Sequence, residues 1–284
     1  MNAHGGAGPD PGWQLCTVVE HIGGNLFAAA AALFGEKRRS ARRPRYRALV
    51  HRHHRHGLIV LGLAVVAMLL LDPFVRVLVA ALPRPIIAFF AVVTDFGLSG
   101  MVLYPVGFCL IVLAALTSPA LAQMTRGVLA ALVVRFGFVF VAVGLTGLIA
   151  TTLKRLIGRV RPSARGPFAF EPFSWRPDYA SLPSGHSVTA FSVLVALGFL
   201  LPRLRPFLWV YAVTIALSRV AVSTHFPSDV IAGAAFGALG AILVREWFAS
   251  RRLGFFIDSD GVVRTFPGPS FTRVRRAIGA ALAR

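Results

Sequence analysis

The chain has 284 residues, 56% of them hydrophobic and only 14% charged, with a mean hydropathy of +0.70 and a formal net charge of +19. That balance excludes an ordinary soluble domain, and several stretches near the roughly 20 residues that cross a bilayer indicate a polytopic membrane protein. Cys16 and Cys109 alone exclude a disulfide framework or a zinc cluster, and the positive surplus, which sits in flanks and loops, reads as membrane topology and not as nucleic-acid binding.

Residues 1–36 mix Gly, Pro and Ala with a moderately apolar patch interrupted by Glu20, His21 and Gly23-Gly24, which predicts a surface-lying or loosely ordered tail. The polybasic run KRRSARRPRYRALVHRHHRH, 37–56, halts at the first long apolar stretch, as a cytoplasmic flank does, and starts too far from Met1 to resemble a signal peptide. The first span, 57–71, is short and meets Asp72-Pro73. The stretch 74–93 is broken by Arg76 and LPRP and is placed at the far interface. Further spans are expected over 99–117, 128–153, 187–201, 207–222 and 230–244, giving an all-α, polytopic, six-transmembrane-helix bundle. Gly233 and Gly237 in the last span suit close helix packing in lipid. Beyond it, FFIDSDGVVRTF reads as a hairpin turning at Asp260-Gly261, and SFTRVRRAIGAALAR as a basic amphipathic helix on the inner leaflet. The chain therefore divides into a basic cytoplasmic tail (1–56), a six-helix membrane domain (57–248) and a second basic cytoplasmic tail (249–284).

Six crossings from a cytoplasmic N-terminus put the loops after spans one, three and five outside. The cytoplasmic segments then hold 20 Lys and Arg and the external ones nine, with Arg135 inside a span, in keeping with the positive-inside rule. The exception is the loop after span three, with six basic residues on the poor side. Something there must want positive charge.

That loop opens LKRLIGRVRPSARGP, and Lys154 and Arg161 leave the end of span three about two turns apart if the helix persists. Alone, such a pair is an interfacial anchor. The second element, PSGH, places Ser184 as a good N-cap and Gly185 where a backbone can approach closely, so amides opening span four form an anion site beside His186. The third, SRVAVSTHFPSDV, supplies Arg219, His225 and Asp229. Pro227 suits the first position of the last span, which puts Asp229 in its first turn, able to turn back to the imidazole and fix its tautomer. The bland alternatives are a capping serine, an N-terminal acid and two bystander histidines. Yet His186 and His225 are the only histidines after His56, and parity puts both on one face. Lys154, Arg161, Arg219, the Ser184-Gly185 amides, both imidazoles and Asp229 therefore read as one pocket for a tetrahedral oxyanion, most simply phosphate.

K-x6-R-P (Lys154 to Pro162), P-S-G-H (Pro183 to His186) and S-R-x5-H-x3-D (Ser218 to Asp229) together resemble the complete three-part signature of the type-2 phosphatidic acid phosphatase superfamily, over about 57–244. The resemblance implies a metal-independent phosphatase with its site at the outer surface. His225, oriented by Asp229, would attack phosphorus to give a phosphohistidine, and protonated His186 would serve the leaving group. Lys154, Arg161, Arg219, Ser184 and Gly185 would hold the phosphate oxygens before water completes the cycle. No cofactor and no metal is expected, since the external face adds only Asp72, Asp95, Glu171 and Asp178 to Asp229. The implied partners are a membrane lipid substrate and the bilayer, with no nucleic acid, at a bacterial inner (cytoplasmic) membrane with the site facing the periplasm. Phosphatidic acid, phosphatidylglycerol phosphate, undecaprenyl pyrophosphate and the phosphates of lipid A are the substrate candidates. Phe168, Phe170, Phe173, Trp175 and Tyr179 either guide the lipid or form an interfacial belt. Two other classes stay open: a phosphotransferase on the same scaffold, and a non-catalytic membrane protein that binds anionic lipid.

Overall fold

Prolines and glycines cut the apolar chain into helices, which the computed structural model describes over residues 11–34, 46–164 and 166–283. In order these are α1 (Pro11–Phe34), α2 (Tyr46–Leu70), α3 (Val75–Ala80), α4 (Arg84–Val93), α5 (Gly100–Leu116), α6 (Gln123–Ile157), α7 (Gly185–Leu200), α8 (Arg205–Ala221) and α9 (Pro227–Ser250), then strands β1 (Phe255–Ile257) and β2 (Val263–Thr265) and a last helix, α10 (Phe271–Leu282). Pro85, Pro206 and Pro227 sit in first turns, where a missing N–H costs nothing. Residues 37–45 of the polybasic run lie outside the described residues, and its remainder enters α2.

Four segments are long and apolar enough to cross a membrane: Arg84–Leu116, Gln123–Ile157, Pro202–Ala221 and Pro227–Ser250. The bent pair Gly57–Leu70 and Asp72–Ala80 makes a fifth if counted as one span. This is an integral membrane protein, mostly helical. The remaining expected crossing, the fourth, corresponds to α7, whose 16 residues span about 24 Å, short of the roughly 30 Å hydrocarbon core. A second difference lies before α5. The second half of the stretch expected at the far interface runs on from α4 through a 3-10 turn at Thr94–Gly97 into α5, because Pro83 caps α4 and Pro85 sits in its first turn, where neither breaks the helix.

Short α7 packs at the centre, against α6, α8 and α9, while α2 lies on α9 and α4 on α8. Small residues permit this closeness. A Cβ at Gly233 would come within 2.6 Å of the Ser184 carbonyl oxygen, one at Gly237 would overlap the Val188 carbonyl, and Ser192 donates to the Gly237 carbonyl at 3.1 Å. The glycine spacing thus joins α9 to α7, in the way small residues join helices in lipid.

The N-terminal tail carries α1, which rests on α5, with Asn25 donating to the carbonyls of Ala114 and Thr117 at 2.9 Å each. The C-terminal hairpin turns where the sequence indicated, pairing Phe255 with Thr265. It is not peripheral. Phe255 is buried edge-to-face on Phe138, with centroids 4.7 Å apart, inside the cluster that includes Phe248. Arg135, the cation inside a span, donates to the Phe266 carbonyl at 2.9 Å, so the chain leaving the hairpin satisfies it. Helix α10, expected on the inner leaflet, packs on α6 and α5 through Ala277 and Ala281.

Candidate active site

The C-terminal ends of α6 and α8 and the N-terminal ends of α7 and α9 meet at one end of the bundle, which brings the three sequence elements together. Helix α6 stops at Gly158, whose φ of +62° is left-handed and whose missing Cβ leaves room for the Glu171 backbone. The following loop folds back over the helix end, with Glu171 N–H bonded to the Gly158 carbonyl at 2.7 Å and Ser181 N–H to the Arg159 carbonyl at 3.0 Å. This delivers Ser181 and α7 to the site.

Lys154 lies in the last turn of α6, its Nζ 3.1 Å from where a Cβ on Gly185 would stand. The missing Cβ of Gly185 lets the ammonium sit close against the start of α7. His186 follows, packed beside Gly97, whose Cβ position is 3.0 Å from the ring Cδ2. From α8, Arg219 donates through Nη1 to Thr94 Oγ1 at 2.5 Å. His186 lies within electrostatic reach of Arg219, His225, Lys154 and Arg161. The Nε atoms of Arg161 and Arg219 are buried and have no hydrogen-bond partner among the described residues. A buried guanidinium N–H left unmade is costly, and beside Lys154 and His186 an oxyanion is an acceptor that would satisfy it. Burial pushes the Arg161 guanidinium below its usual range, with Asp178 pulling it back up.

His225 is buried in the α8–α9 loop, and its Nδ1 stands 3.4 Å from Ser181 Oγ and 3.7 Å from Asp229 Oδ2. The second distance exceeds a hydrogen bond, so Asp229 faces the ring without yet gripping it. With Nδ1 turned to these groups, Nε2 is the nitrogen without a hydrogen-bond partner among the described residues. Burial pushes the imidazole down to about 4, against the upward pull of Asp229. The ring is therefore neutral at physiological pH. Because this value lies below the unfolded 6.5, the stability linked to the neutral ring is present above about pH 6.5 and lost as pH falls through about 4. Histidine NMR in detergent, with the signal assigned by its loss in His225→Ala, should give a His225 midpoint near 4. A midpoint at or above 6.5 would contradict this environment.

Ser184 departs from its expected role. Its hydroxyl caps no backbone N–H but accepts from Ser187 Oγ at 3.1 Å, and its own N–H is committed to the Asp229 carbonyl at 3.0 Å. Of the Ser184-Gly185 amides, only that of Gly185 belongs to the unbonded first turn of α7. The sequence reading also passed over a buried cluster beside the site. Arg159, fully buried, donates through Nη1 to Asp229 Oδ1 at 2.5 Å and through Nη2 to Asp72 Oδ2 at 2.6 Å. Ser228 binds Asp72 with both its N–H and its hydroxyl. A lone carboxylate in LLLDPFV was the available signal for Asp72. Arg159, one of six cations in its loop, carried none. Among the described residues, no three His, Cys, Asp or Glu side chains are grouped as a metal site needs.

A model of the PAP2 superfamily matches residues 135–253, the stretch carrying all three elements. The lipid A 1-phosphatase of Rhizobium johnstonii is 35% identical over 72% of this chain and 84% of its own length. The chain belongs to the PAP2 superfamily. Phosphatidylglycerophosphatase B of Bacillus subtilis is also similar, 34% identical over 36% of this PAP2 protein and 52% of its own length. Among solved structures, a PAP2-type phosphatidylglycerolphosphate phosphatase from Bacillus subtilis aligns with a TM-score of 0.49 at 24% identity, over 68% of this chain and 93% of that one.

Proposed function

We propose that this PAP2 phosphatase removes phosphate from a membrane lipid at the periplasmic face of a bacterial inner membrane, by way of a phosphohistidine on His225. The observation that carries the reading is the convergence of two imidazoles with Lys154, Arg161 and Arg219 at one end of the bundle, two of the cations holding buried Nε atoms without a partner among the described residues. In the first step His225 Nε2 bonds to phosphorus as the ester P–O bond breaks, and the departing oxygen takes a proton from His186, a ring that burial and the facing cations push down to about 3 and that gains its proton as the charge of the bound phosphate offsets them. In the second, water attacks phosphorus, His186 recovers a proton from it, and the P–N bond breaks to release inorganic phosphate. Lys154, both arginines, the Ser184 hydroxyl and the Gly185 amide hold the equatorial oxygens, whose charge is stabilised as the bonds exchange. Asp229 steadies the imidazolium character that forms on His225.

A site at one end of a membrane bundle suits a lipid as substrate. Gly185 and His186 open α7 where the last turn of α6 ends, so a phosphate held there can belong to a headgroup whose chains stay in the bilayer. In the loop between α6 and α7, Phe168, Phe173 and Trp175 are exposed, as suits the headgroup zone. Likeness to the Rhizobium lipid A 1-phosphatase over most of its length favours a phosphate of lipid A, and phosphatidylglycerol phosphate comes next. Purified protein assayed with lipid A, phosphatidylglycerol phosphate, phosphatidic acid and undecaprenyl pyrophosphate, all in excess chelator, should release inorganic phosphate fastest from lipid A. Release from none of the four would contradict the reading, and phosphate appearing on an acceptor alcohol would make the protein a transferase.

A further inference from the structure

The mechanism leaves unused a buried ionic cluster that ties the first membrane helix to the site. Asp72 lies in the 3-10 turn after α2 and is 1% exposed; Arg159 and Asp229 are fully buried. All three charges are paired. Arg159 divides its guanidinium between Asp72 and Asp229, its Nε and Nη2 also reach the Pro167 carbonyl, and the Phe226 ring stacks 4.5 Å beneath it. Ser228 closes the circuit, accepting from Arg159 at 2.6 Å and donating to Asp72 at 2.5 Å.

The division of Asp229 matters most. Its Oδ1 is taken by Arg159, while its Oδ2 accepts from Ser181 at 2.5 Å and from the Phe226 N–H at 2.9 Å and is the oxygen that faces His225. Arg159 thus fixes the rotation of the carboxylate plane and thereby which oxygen meets the imidazole. A single buried carboxylate would satisfy the arginine alone, at one edge of its fork. The second, Asp72, engages the other nitrogen and stops the guanidinium from swinging, as bidentate geometry requires.

We propose that Arg159 and Asp72 are positioning residues: Asp72, from the end of α2, locks the Arg159 fork, and the fork sets the Asp229 carboxylate against His225 Nδ1. The inference rests on His225 being the nucleophile. It makes the first membrane helix part of the catalytic apparatus although the α2 end lies 87 residues before Arg159 in sequence. Groups that orient a ligand-bearing or catalytic side chain from one layer out typically change function by about 10- to 100-fold.

The test uses full-length protein in detergent, with Asp72→Asn, Arg159→Ala and Arg159→Lys beside wild type and His225→Ala. Asp72→Asn keeps shape and removes only charge, so it covers the case in which Arg159→Ala fails to fold. The readouts are kcat, KM, melting temperature and the ring nitrogen NMR signals of His225. Asp72→Asn should lower kcat about 10- to 100-fold with KM within about twofold, and should shift the His225 ring signals. Arg159→Ala should lose at least as much, with millimolar guanidinium restoring part of the rate, and Arg159→Lys should fall between. Wild-type kcat and unchanged ring signals in folded variants would overturn the proposal. So would a loss confined to melting temperature, which marks a structural ion pair only. If His225→Ala itself turns over normally, the phosphohistidine reading fails instead, and the two failures are distinguishable.

Discussion

His225→Ala should eliminate turnover, lowering the rate of phosphate release by at least about 10^4-fold, or roughly 5.5 kcal/mol of transition-state stabilisation. The size follows from the ring's place in the reaction. Its Nε2 makes the bond to phosphorus, and the Asp229 carboxylate faces its other ring nitrogen, where it steadies the positive charge that forms. His186 lies at the start of a different helix beside Gly97, where its role is to give and recover a proton. Lipid binding should persist in the variant, because the cations that hold the phosphate remain. Released phosphate measured on His225→Ala vesicles, with binding followed separately by co-sedimentation, checks both halves. A variant that binds and hydrolyses lipid within tenfold of wild type would leave only a lipid-binding membrane protein.

The second large effect is expected at the arginines. Arg161→Leu and Arg219→Leu should each lower kcat/KM by about 10^2- to 10^3-fold, the range seen when one preorganised donor to a developing oxyanion is lost. Both Nε atoms are buried and without partners among the described residues, so each has a donor to give to a phosphate oxygen. Arg219 also has a second task, its bond to Thr94 on the turn between α4 and α5. Thr94→Val separates the two. It should cost far less than Arg219→Leu, since the guanidinium stays. Arg219→Lys should fall between, because an ammonium keeps the charge and loses the planar fork. Inhibition by inorganic phosphate should weaken in parallel with kcat/KM. Arginine variants within threefold of wild type in both measures would contradict the assigned roles.

Much of this site could be read in the sequence because its groups lie where helices begin and end. Pro183, Gly185 and Pro227 mark helix starts by their backbone chemistry, and alternation of spans across a bilayer places the ends of α6 and α8 with the beginnings of α7 and α9. The turn at Asp260-Gly261 was legible for the same reason, since local chemistry decided it. The burial of Phe255 against Phe138 was not, because an apolar ring fits lipid and protein alike and only tertiary packing chooses. The count of crossings suffered similarly. Apolarity marks 185–200 as a helix, but its shortness gains meaning only beside taller α6 and α9. Asp72 and Arg159 escaped because each is ordinary in its own neighbourhood, an acid before proline and an arginine among arginines. Their pairing across 87 residues exists only in the fold. Ser184 shows the opposite failure, a favourable capping residue whose hydroxyl accepts from Ser187 and caps no amide of α7.

Trapping the covalent intermediate tests the central claim most directly. Rapid mixing with a lipid substrate labelled in the reacting phosphate, quenching in alkali and digesting with trypsin separates the two histidines. Cleavage after Arg219 and Arg245 yields a fragment in which His225 is the sole histidine, and cleavage after Arg165 and Arg203 yields another that contains only His186. The account predicts acid-labile, alkali-stable label on the Val220–Arg245 fragment alone. Label on the 166–203 fragment, or turnover with no labelled histidine at any quench time, would contradict it.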